Sequence, residues 1–125
     1  MNANELRVGN WVMYSHKHES PLPVAIKIDI SDLILIGENL KDYKYEPIVL
    51  SPEILEKCGF EVDYVSHYGG WLIKVKGDEK IRIVWDEFIG WHWPMNGYNK
   101  PIVNSLHQLQ NLYFSLCGEE LTYNQ

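Results

Sequence analysis

Alternating apolar and polar residues in the first third of the chain predict a hairpin. From residue 24 to residue 30 every second side chain is a branched aliphatic, which is the pattern of a half-buried strand. A polar Ser-Asp pair at 31–32 separates this run from a second apolar run at 33–36, so the two runs predict paired strands. Before them, residues 8–14 (VGNWVMY) predict an early strand entered through a tight bend, and HKHESPLP at 16–23 predicts a loop.

The middle and later parts of the chain predict four more extended segments. YEPIVL at 45–50 contains a proline, which suits the edge of a sheet. FEVDYV at 60–65, WLIKVK at 71–76 and IRIVW at 81–85 follow, and the last two flank the turn sequence GDEK and predict a second hairpin. Residues 86–104 combine aromatic residues with two prolines and two glycines, so we predict irregular structure there.

Two segments have the start and stop signals of helices. SPEILEKCG at 51–59 has a capping serine, a proline at the first helical position and a glycine at its end. SLHQLQNLYFSLC at 105–117 begins with Ser105 and Gln108, which are spaced as a capping box, and Gly118 follows as a stop. Its apolar face is predicted to pack on the sheet through Leu106, Leu109, Leu112, Tyr113, Leu116 and Cys117.

The opposite face of the C-terminal helix has no charged side chain. None of residues 105–117 is Lys, Arg, Asp or Glu, although 22% of the chain is charged. Exposed helix faces usually have charged side chains, whereas amides suit a surface that something else covers. We therefore predict that His107, Gln108, Asn111 and Ser115 form a covered face or interface. The cover would be the chain's own tail, a second protomer or another protein partner.

Composition limits the classes of protein to which the chain can belong. A length of 125 residues fits a single domain, 1–125, and a hydrophobic share of 46% is that of a globular protein. A formal net charge of -6 without a basic arm argues against nucleic acid as a partner. The sequence shows no membrane-spanning run and no signal sequence, so we expect no membrane partner and a cytoplasmic location. Cys58 and Cys117 are expected to be buried thiols.

No set of catalytic or metal-binding residues stands out. His16 and His18 could share a strand face, but a zinc site needs a third protein ligand, so we expect both rings to be solvated. His107 and Cys117 lie about 15 Å apart along one helix and cannot form a dyad with each other. We therefore expect no catalytic residue, no metal, no cofactor and no enzymatic activity.

Trp91, His92, Trp93 and Tyr98 form a candidate aromatic binding loop. Aromatic faces stack on sugars and on bases, and indoles are favoured at protein interfaces. The sequence GWHWP lies in a weakly patterned stretch, where the same side chains would also serve as structural anchors. Both interpretations stay open at this point.

Three blocks of the sequence together resemble a known family. ELRVGNWVMY, EPIVLSPEILEKCGFE and HQLQNLYFSLCGEELT, in this order along the chain, are similar to a family of small uncharacterised proteins of Bacteroidetes genomes and their phages or prophages. The resemblance implies a phage or mobile-element context and carries over no catalytic residue. The first block also resembles the opening strand of small SH3-like barrels.

These patterns predict an α+β fold. We expect a strongly bent, mainly antiparallel sheet or a small SH3-like barrel, with a short middle helix and a C-terminal helix packed on it. The function expected is that of a noncatalytic protein-interaction module, which binds a protein partner or a second copy of itself, as an accessory protein of a phage or mobile element. The alternative is an aromatic ligand-binding module for a glycan or for single-stranded nucleic acid.

Overall fold

The computed structural model describes the backbone of residues 1–65, 70–75, 78–86, 90–92 and 102–125, and their side chains except at 61–65, 70–75, 78–82 and 84–86. The chain forms two compact units. The first unit is Met1–Val49 with Ser105–Gly118, and the second is Leu50–Asn104 with Glu119–Gln125. Each unit combines an antiparallel sheet with helical structure, so the predicted α+β class is confirmed. The expectation of a single domain stays a prediction.

The sheet of the first unit has three antiparallel strands in the order β2–β1–β3. They are β1 (Trp11–His16), β2 (Ser20–Lys27) and β3 (Tyr43–Pro47). The bend before β1 falls at Gly9, whose φ of 97° lies in the left-handed region that favours glycine. The predicted loop at 16–23 is wrong in part, because residues 20–23 belong to β2. Pro21 and Pro23 fit there because β2 is an edge strand.

The second strand of the first predicted hairpin is wrong, because residues 33–36 lie in a helix, α1 (Ile30–Glu38). Asp29 and Asp32 form a capping box: Asp29 accepts a hydrogen bond from the Asp32 N–H at 3.0 Å, and Asp32 accepts one from the Asp29 N–H at 2.9 Å. These bonds satisfy backbone N–H groups that have no partner within the helix at its first turn. The Ser-Asp pair at 31–32 therefore lies in the first turn of a helix and not in a hairpin turn. Asn39 ends α1 in the left-handed conformation, with φ of 52°.

The core of the first unit lies between α1 and one face of its sheet. Leu6, Val12, Ile28 and Ile36 are buried there, and the partly buried side chains packed on them are Ala3, Ile26, Leu33 and Tyr45. Burial of each such aliphatic side chain stabilises the fold by about 1.5–3 kcal/mol relative to exposure. Because strand residues alternate between faces, Tyr14 and His16 lie on the same face of β1 as Val12.

The predicted C-terminal helix is confirmed as α3 (Leu106–Cys117), which lies against β1. Gln108 accepts a hydrogen bond from the backbone N–H of Ser105 at 3.3 Å, and Gly118 ends the helix in the left-handed conformation. The buried stripe is narrower than the sequence suggests. Leu106 and Leu109 are fully buried, Leu112, Tyr113 and Cys117 are half-buried, and Leu116 is 52% exposed.

The second unit begins with a short helix and continues into a four-stranded antiparallel sheet in the order β4–β5–β6–β7. The elements are α2 (Pro52–Lys57), β4 (Phe60–Val65), β5 (Gly70–Val75), β6 (Asp78–Asp86) and β7 (Gly90–His92). Ser51 caps α2, as the sequence predicts, and Leu55 is the fully buried side chain of this helix. The predicted second hairpin is confirmed by the pairing of Ile73 with Ile83, but β7 replaces part of the predicted irregular stretch.

Neither sheet closes on itself within the described ranges, so the small SH3-like barrel is not confirmed. The three-stranded sheet ends at β2 and β3, and the four-stranded sheet ends at β4 and β7. The described architecture is therefore two open antiparallel sheets accompanied by three α-helices.

The C-cap of α1 provides a test of this corrected element. We expect Asn39→Ala to destabilise the protein by about 1 kcal/mol, because a Cβ disfavours the left-handed conformation and alanine lacks the local hydrogen bonds of asparagine. Asn39→Gly, which adopts this conformation freely, is the matched control and should keep or raise the stability. Urea denaturation measures both, and equal stability of the two variants would contradict this end of α1.

Candidate functional site

The amide-rich face of α3 is covered by the chain's own N-terminal segment, which we define as residues 1–10. The centre of the contact is Gln110, which is 2% exposed. Its Oε1 accepts a hydrogen bond from the backbone N–H of Trp11 at 2.8 Å, and its Nε2 donates one to the carbonyl of Gly9 at 3.2 Å. One side-chain amide therefore binds a donor and an acceptor of the backbone that enters β1.

Two asparagines extend this contact on either side of Gln110. Asn10 is fully buried; its Nδ2 donates to Asn111 Oδ1 at 3.0 Å, and its Oδ1 accepts from the Arg7 N–H at 2.8 Å. Asn111 Nδ2 in turn donates to the carbonyl of Glu5 at 3.0 Å. Groups that both donate and accept are needed here, because the N-terminal segment presents its backbone to the helix.

Arg7 supplies a positive charge to the helix surface that has none of its own. Its guanidinium donates to the carbonyl of Gln110 at 3.2 Å and lies 4.7 Å from the centre of the Phe114 ring. A guanidinium over an aromatic face gains a cation–π attraction, about 0.5–1 kcal/mol at an exposed site. The N-terminal segment is thus held by hydrogen bonds along its backbone and by this contact at its edge.

His107 is the most unusual group in this contact, because it is 2% exposed and its Nε2 has no hydrogen-bond partner among the described residues. Its Nδ1 lies 3.2 Å from Ser105 Oγ, and its Nε2 lies 3.9 Å from a carboxylate oxygen of Glu5. Burial lowers the pKa of His107, and the negative charge of Glu5 opposes that shift. The neutral imidazole is therefore the form that the folded protein favours.

The four residues predicted as an interface have different environments. His107 is buried and Asn111 is half-buried against the N-terminal segment, whereas Gln108 and Ser115 are exposed. Ser115 donates a hydrogen bond back to the carbonyl of Asn111 at 2.9 Å. Of the alternatives that the sequence left open, the chain itself supplies cover for part of this face. A role of the exposed remainder in binding a partner stays a prediction.

Sequence reasoning missed the two most buried amides of this contact. Gln110 sits at the boundary of the apolar stripe, and Asn10 resembles an ordinary bend residue beside Gly9. The only signal in the sequence is the absence of charge across 105–117, which points to a covered face without naming the segment that covers it.

The candidate aromatic loop is described for two of its four residues. Trp91 is 8% exposed and His92 is 5% exposed, both in β7, and His92 Nδ1 lies 3.0 Å from the carbonyl of Gly90. Side chains this deeply buried have no ring face open to a ligand, so the observed positions of Trp91 and His92 fit a structural role. Trp93 and Tyr98 lie outside the described residues, and a binding role for the loop stays a prediction.

Other candidate chemistry has structural explanations. The ring of His16 was expected to be solvated, but it is buried. Its Nδ1 accepts hydrogen bonds from the N–H groups of His18 and Glu19 in the turn after β1.

Burial raises the pKa of the Cys58 thiol to about 12, so this thiol stays protonated and is a poor nucleophile. No three His, Cys, Asp or Glu side chains among the described residues are placed to hold a metal ion.

A further surface feature is a set of exposed aliphatic side chains on β2 and α1. We name this set, Leu22, Val24, Ile30 and Ile34, the β2–α1 surface; its members are 78%, 46%, 67% and 56% exposed. The predicted strand at 24–30 placed Val24 and Ile30 on its buried face, which is wrong because both are exposed. Among the described helices, none is long and apolar enough to cross a membrane.

The Gln110 contact leads to a stability prediction. Gln110→Leu removes the partners of the Trp11 N–H and the Gly9 carbonyl, and leaving such buried groups unpaired costs about 1–3 kcal/mol. Gln108→Leu is the matched control at an exposed position of the same helix, and we expect a smaller loss there. The free energy of unfolding from urea titrations compares the variants; equal losses would contradict a central role of Gln110.

The buried imidazole of His107 predicts a pH dependence of stability. Its folded pKa lies below the ordinary value of 6.5, so the unfolded chain binds more protons as the pH falls through about 6.5. The contribution of the neutral ring is therefore present above pH 6.5 and is lost on acidification.

Urea midpoints at pH 7.5 and 5.5 measure this dependence. We expect His107→Gln to lose less stability between the two pH values than the wild type does, because its side chain does not titrate. Glu5→Gln removes the opposing charge and should make the loss larger. The same pH dependence in all three proteins would show that His107 is not the titrating group.

Comparison with known protein families, curated proteins and solved structures gave no match to this chain. The resemblance to proteins of Bacteroidetes genomes and phages, and the cytoplasmic location, therefore stay predictions.

Proposed function

We propose that this protein is a noncatalytic protein-interaction module that binds its partner through the β2–α1 surface. The observation that carries the proposal is the exposure of Ile30 and Ile34, 67% and 56%, on a nine-residue helix. Surface helices usually place polar residues on the side away from the core, and exposed apolar groups that cluster are typical of protein-binding sites.

The arrangement of α1 on the sheet brings these side chains to one side of the first unit. Residues four apart lie on the same side of a helix, so Ile30 and Ile34 share one flank of α1. The opposite flank, with Leu35 and Asn39, lines a pocket together with residues of β3. The isoleucine flank is therefore the one that faces away from this pocket.

The exposed aliphatic residues of β2 in the same set are Leu22 and Val24. Val24 alternates onto the same face of β2 as Ile26, and Ile26 packs on the core that α1 covers. Val24 pairs with Tyr14 of β1 in the register of the sheet, next to the Ile26 and Val12 pair. An aliphatic surface shared by a strand and the adjacent helix supports binding to a protein partner, with the partner's apolar side chains as the matching chemistry.

The biological setting belongs to the same proposal. The resemblance of the three sequence blocks supports an accessory protein of a phage or mobile element.

The test compares two double variants with the wild type. In Ile30→Lys/Ile34→Lys, charges replace the exposed pair on α1 while the core residues Leu33 and Ile36 stay. Proteins that the immobilised wild-type chain retains from a lysate of its source cells are identified by mass spectrometry, purified and titrated by calorimetry. We expect the variant to bind roughly tenfold more weakly or worse, since two apolar contacts would be replaced by desolvated charges.

The matched control is Val49→Lys/Leu116→Lys, which changes two aliphatic residues of similar exposure, 72% and 52%, one between β3 and α2 and one in α3. Its affinity should stay within about twofold of the wild type, a change of less than half a kcal/mol. Light scattering of the same proteins identifies the partner as a second copy if the wild type is a dimer and only the α1 variant is monomeric. Equal affinities of the two double variants, or a monomeric wild type that retains no protein, would contradict the proposal.

A further inference from the structure

The exposed side of α1 contains a glycine that the fold of the first unit does not require. Gly37 lies in the last turn of α1, and its φ is outside the left-handed region. A Cβ added at Gly37 would meet no atom within 4 Å. Glycine is disfavoured relative to alanine in a helix, because it loses more conformational freedom on folding. Neither the backbone conformation nor the packing of α1 therefore explains a glycine at this position.

Gly37 continues the row of the two exposed isoleucines. Ile30, Ile34 and Gly37 are four and then three residues apart, so they lie on one side of the helix over about 10 Å. We name these three residues the α1 seam; all of them are exposed. Spacings of four and three are those by which the side chains of one helix fit between those of another. The seam thus has two apolar projections and one gap, a shape that suits a second helix.

The two ends of the α1 seam are negatively charged. Asp29 caps α1 directly before Ile30, and the hydrogen bond from the Asp32 N–H lowers the pKa of the Asp29 carboxyl, which is therefore ionised at neutral pH. Glu38 lies four residues after Ile34, on the same side of the helix. Its charge adds to the partial negative charge of the carbonyls at the helix end, and the last turn contains no base.

The basic groups nearest along the chain leave this charge in place. α1 and its two capping residues contain no Lys or Arg. Lys27 alternates onto the face of β2 opposite to that of Ile26, and Ile26 packs on the core that α1 covers. Met1, which has the N-terminal ammonium, lines the pocket on the other flank of α1. Lys41 follows the helix and is offset formally by its neighbour Asp42.

We propose that an α-helix of a protein partner packs along the α1 seam, with its backbone close to Gly37 and a lysine or arginine beside Glu38. The inference rests on the proposed interaction function, because it names the element of the partner that binds this surface. The absence of a side chain at Gly37 permits the close approach of another backbone. The charges favour a different protein over a second copy, since paired α1 helices would bring acidic groups of the two copies together in either orientation.

The first experiment compares two blocked helical peptides of equal length and equal leucine spacing. AKLAALKAKLAALKA has lysines beside its leucine row, and AELAALEAELAALEA has glutamates at the same positions. Each is titrated into the full-length, ¹⁵N-labelled protein and followed by chemical shifts. We expect shifts centred on residues 30–38 with the lysine peptide, and binding about tenfold weaker or worse with the glutamate peptide. Equal binding of the two, no binding of the lysine peptide, or shifts centred elsewhere would overturn the inference.

Substitutions at Gly37 test the close approach of the partner helix. Gly37→Ala should raise the urea midpoint of unfolding, because alanine favours the helix and its methyl group meets open space, yet it should weaken the lysine peptide by about threefold. Gly37→Leu should weaken the peptide by about tenfold or more. A surface that is merely apolar would bind more tightly with leucine there, so unchanged or stronger binding by Gly37→Leu would overturn the inference. Ser115→Leu, at an exposed position of α3, is the matched control and should bind as the wild type does.

The charge at the end of the seam is tested by Glu38→Gln. This variant should reduce the preference for the lysine peptide over the glutamate peptide by about threefold, because it removes the acid beside the proposed base. Glu56→Gln, which changes an exposed acid of α2, is the matched control and should keep the full preference. An unchanged preference in Glu38→Gln would overturn the placement of a base beside Glu38.

Failure of this inference is distinguishable from failure of the proposed function. If a captured partner loses affinity for Ile30→Lys/Ile34→Lys but keeps it for Gly37→Leu, the interaction module stands and the close helix packing is wrong. If the partner keeps wild-type affinity for Ile30→Lys/Ile34→Lys, the proposed function is wrong and the inference falls with it. A loss of about tenfold or more in both variants supports both.

Discussion

The side-chain amide of Gln110 is the contact on which the arrangement of the first unit depends. It binds the Gly9 carbonyl and the Trp11 N–H, so it fixes the backbone at the point where the chain enters β1. β1 is the central strand of its sheet, and Val12, one residue into the described strand, is fully buried in the core. The buried amide favours one position of this backbone, because any displacement would leave the amide's own donor and acceptor without partners. Each unpaired buried group costs about 1–3 kcal/mol, against a net stability of about 5–15 kcal/mol for a whole domain.

The same contact explains why a thirteen-residue stretch has no charged side chain. A lysine or glutamate at position 110 or 111 could not both donate to and accept from the backbone of the N-terminal segment, whereas asparagine and glutamine can. His107 is also uncharged, because burial favours its neutral ring although the charge of Glu5 opposes this. The part of the polar face formed by His107, Gln110 and Asn111 is therefore an internal surface, whereas Gln108 and Ser115 are exposed.

α1 gives the first unit two different surfaces because it is a single short helix on a wider sheet. Its inner residues Leu33 and Ile36 pack on the core, which leaves two flanks. Ile30 and Ile34 are exposed on one flank, and on the other flank Leu35 and Asn39 line a pocket with Tyr43 and Tyr45 of β3.

Much of the secondary structure follows from the sequence alone. The strands predicted at 8–14, 60–65, 71–76 and 81–85 correspond to β1, β4, β5 and β6, with ends that differ by a few residues. These strands and the helices α2 and α3 follow from alternation, proline and glycine positions and capping residues, all of which act over a few residues. α1 is the exception. The alternation at 24–30 predicts a strand, whereas Asp29 and Asp32 are spaced to cap a helix that begins at residue 30. The helix forms here because it also packs Leu33 and Ile36 on the core.

What only the tertiary structure decided is which polar groups are buried and which apolar groups are exposed. The outer face of α3 is covered only in part, since His107 is buried and Asn111 half-buried, whereas Gln108 and Ser115 are exposed. The sequence by itself predicted a covered face there, because its side chains lack charge. It could not identify the cover, since Asn10 and Gln110 are 100 residues apart and their contact requires the folded chain. For the same reason the pocket beside Tyr43 and Tyr45 has no signature in the sequence, because part of its wall is formed by Leu35 and Ile36, which the sequence predicts as a strand and which lie in α1.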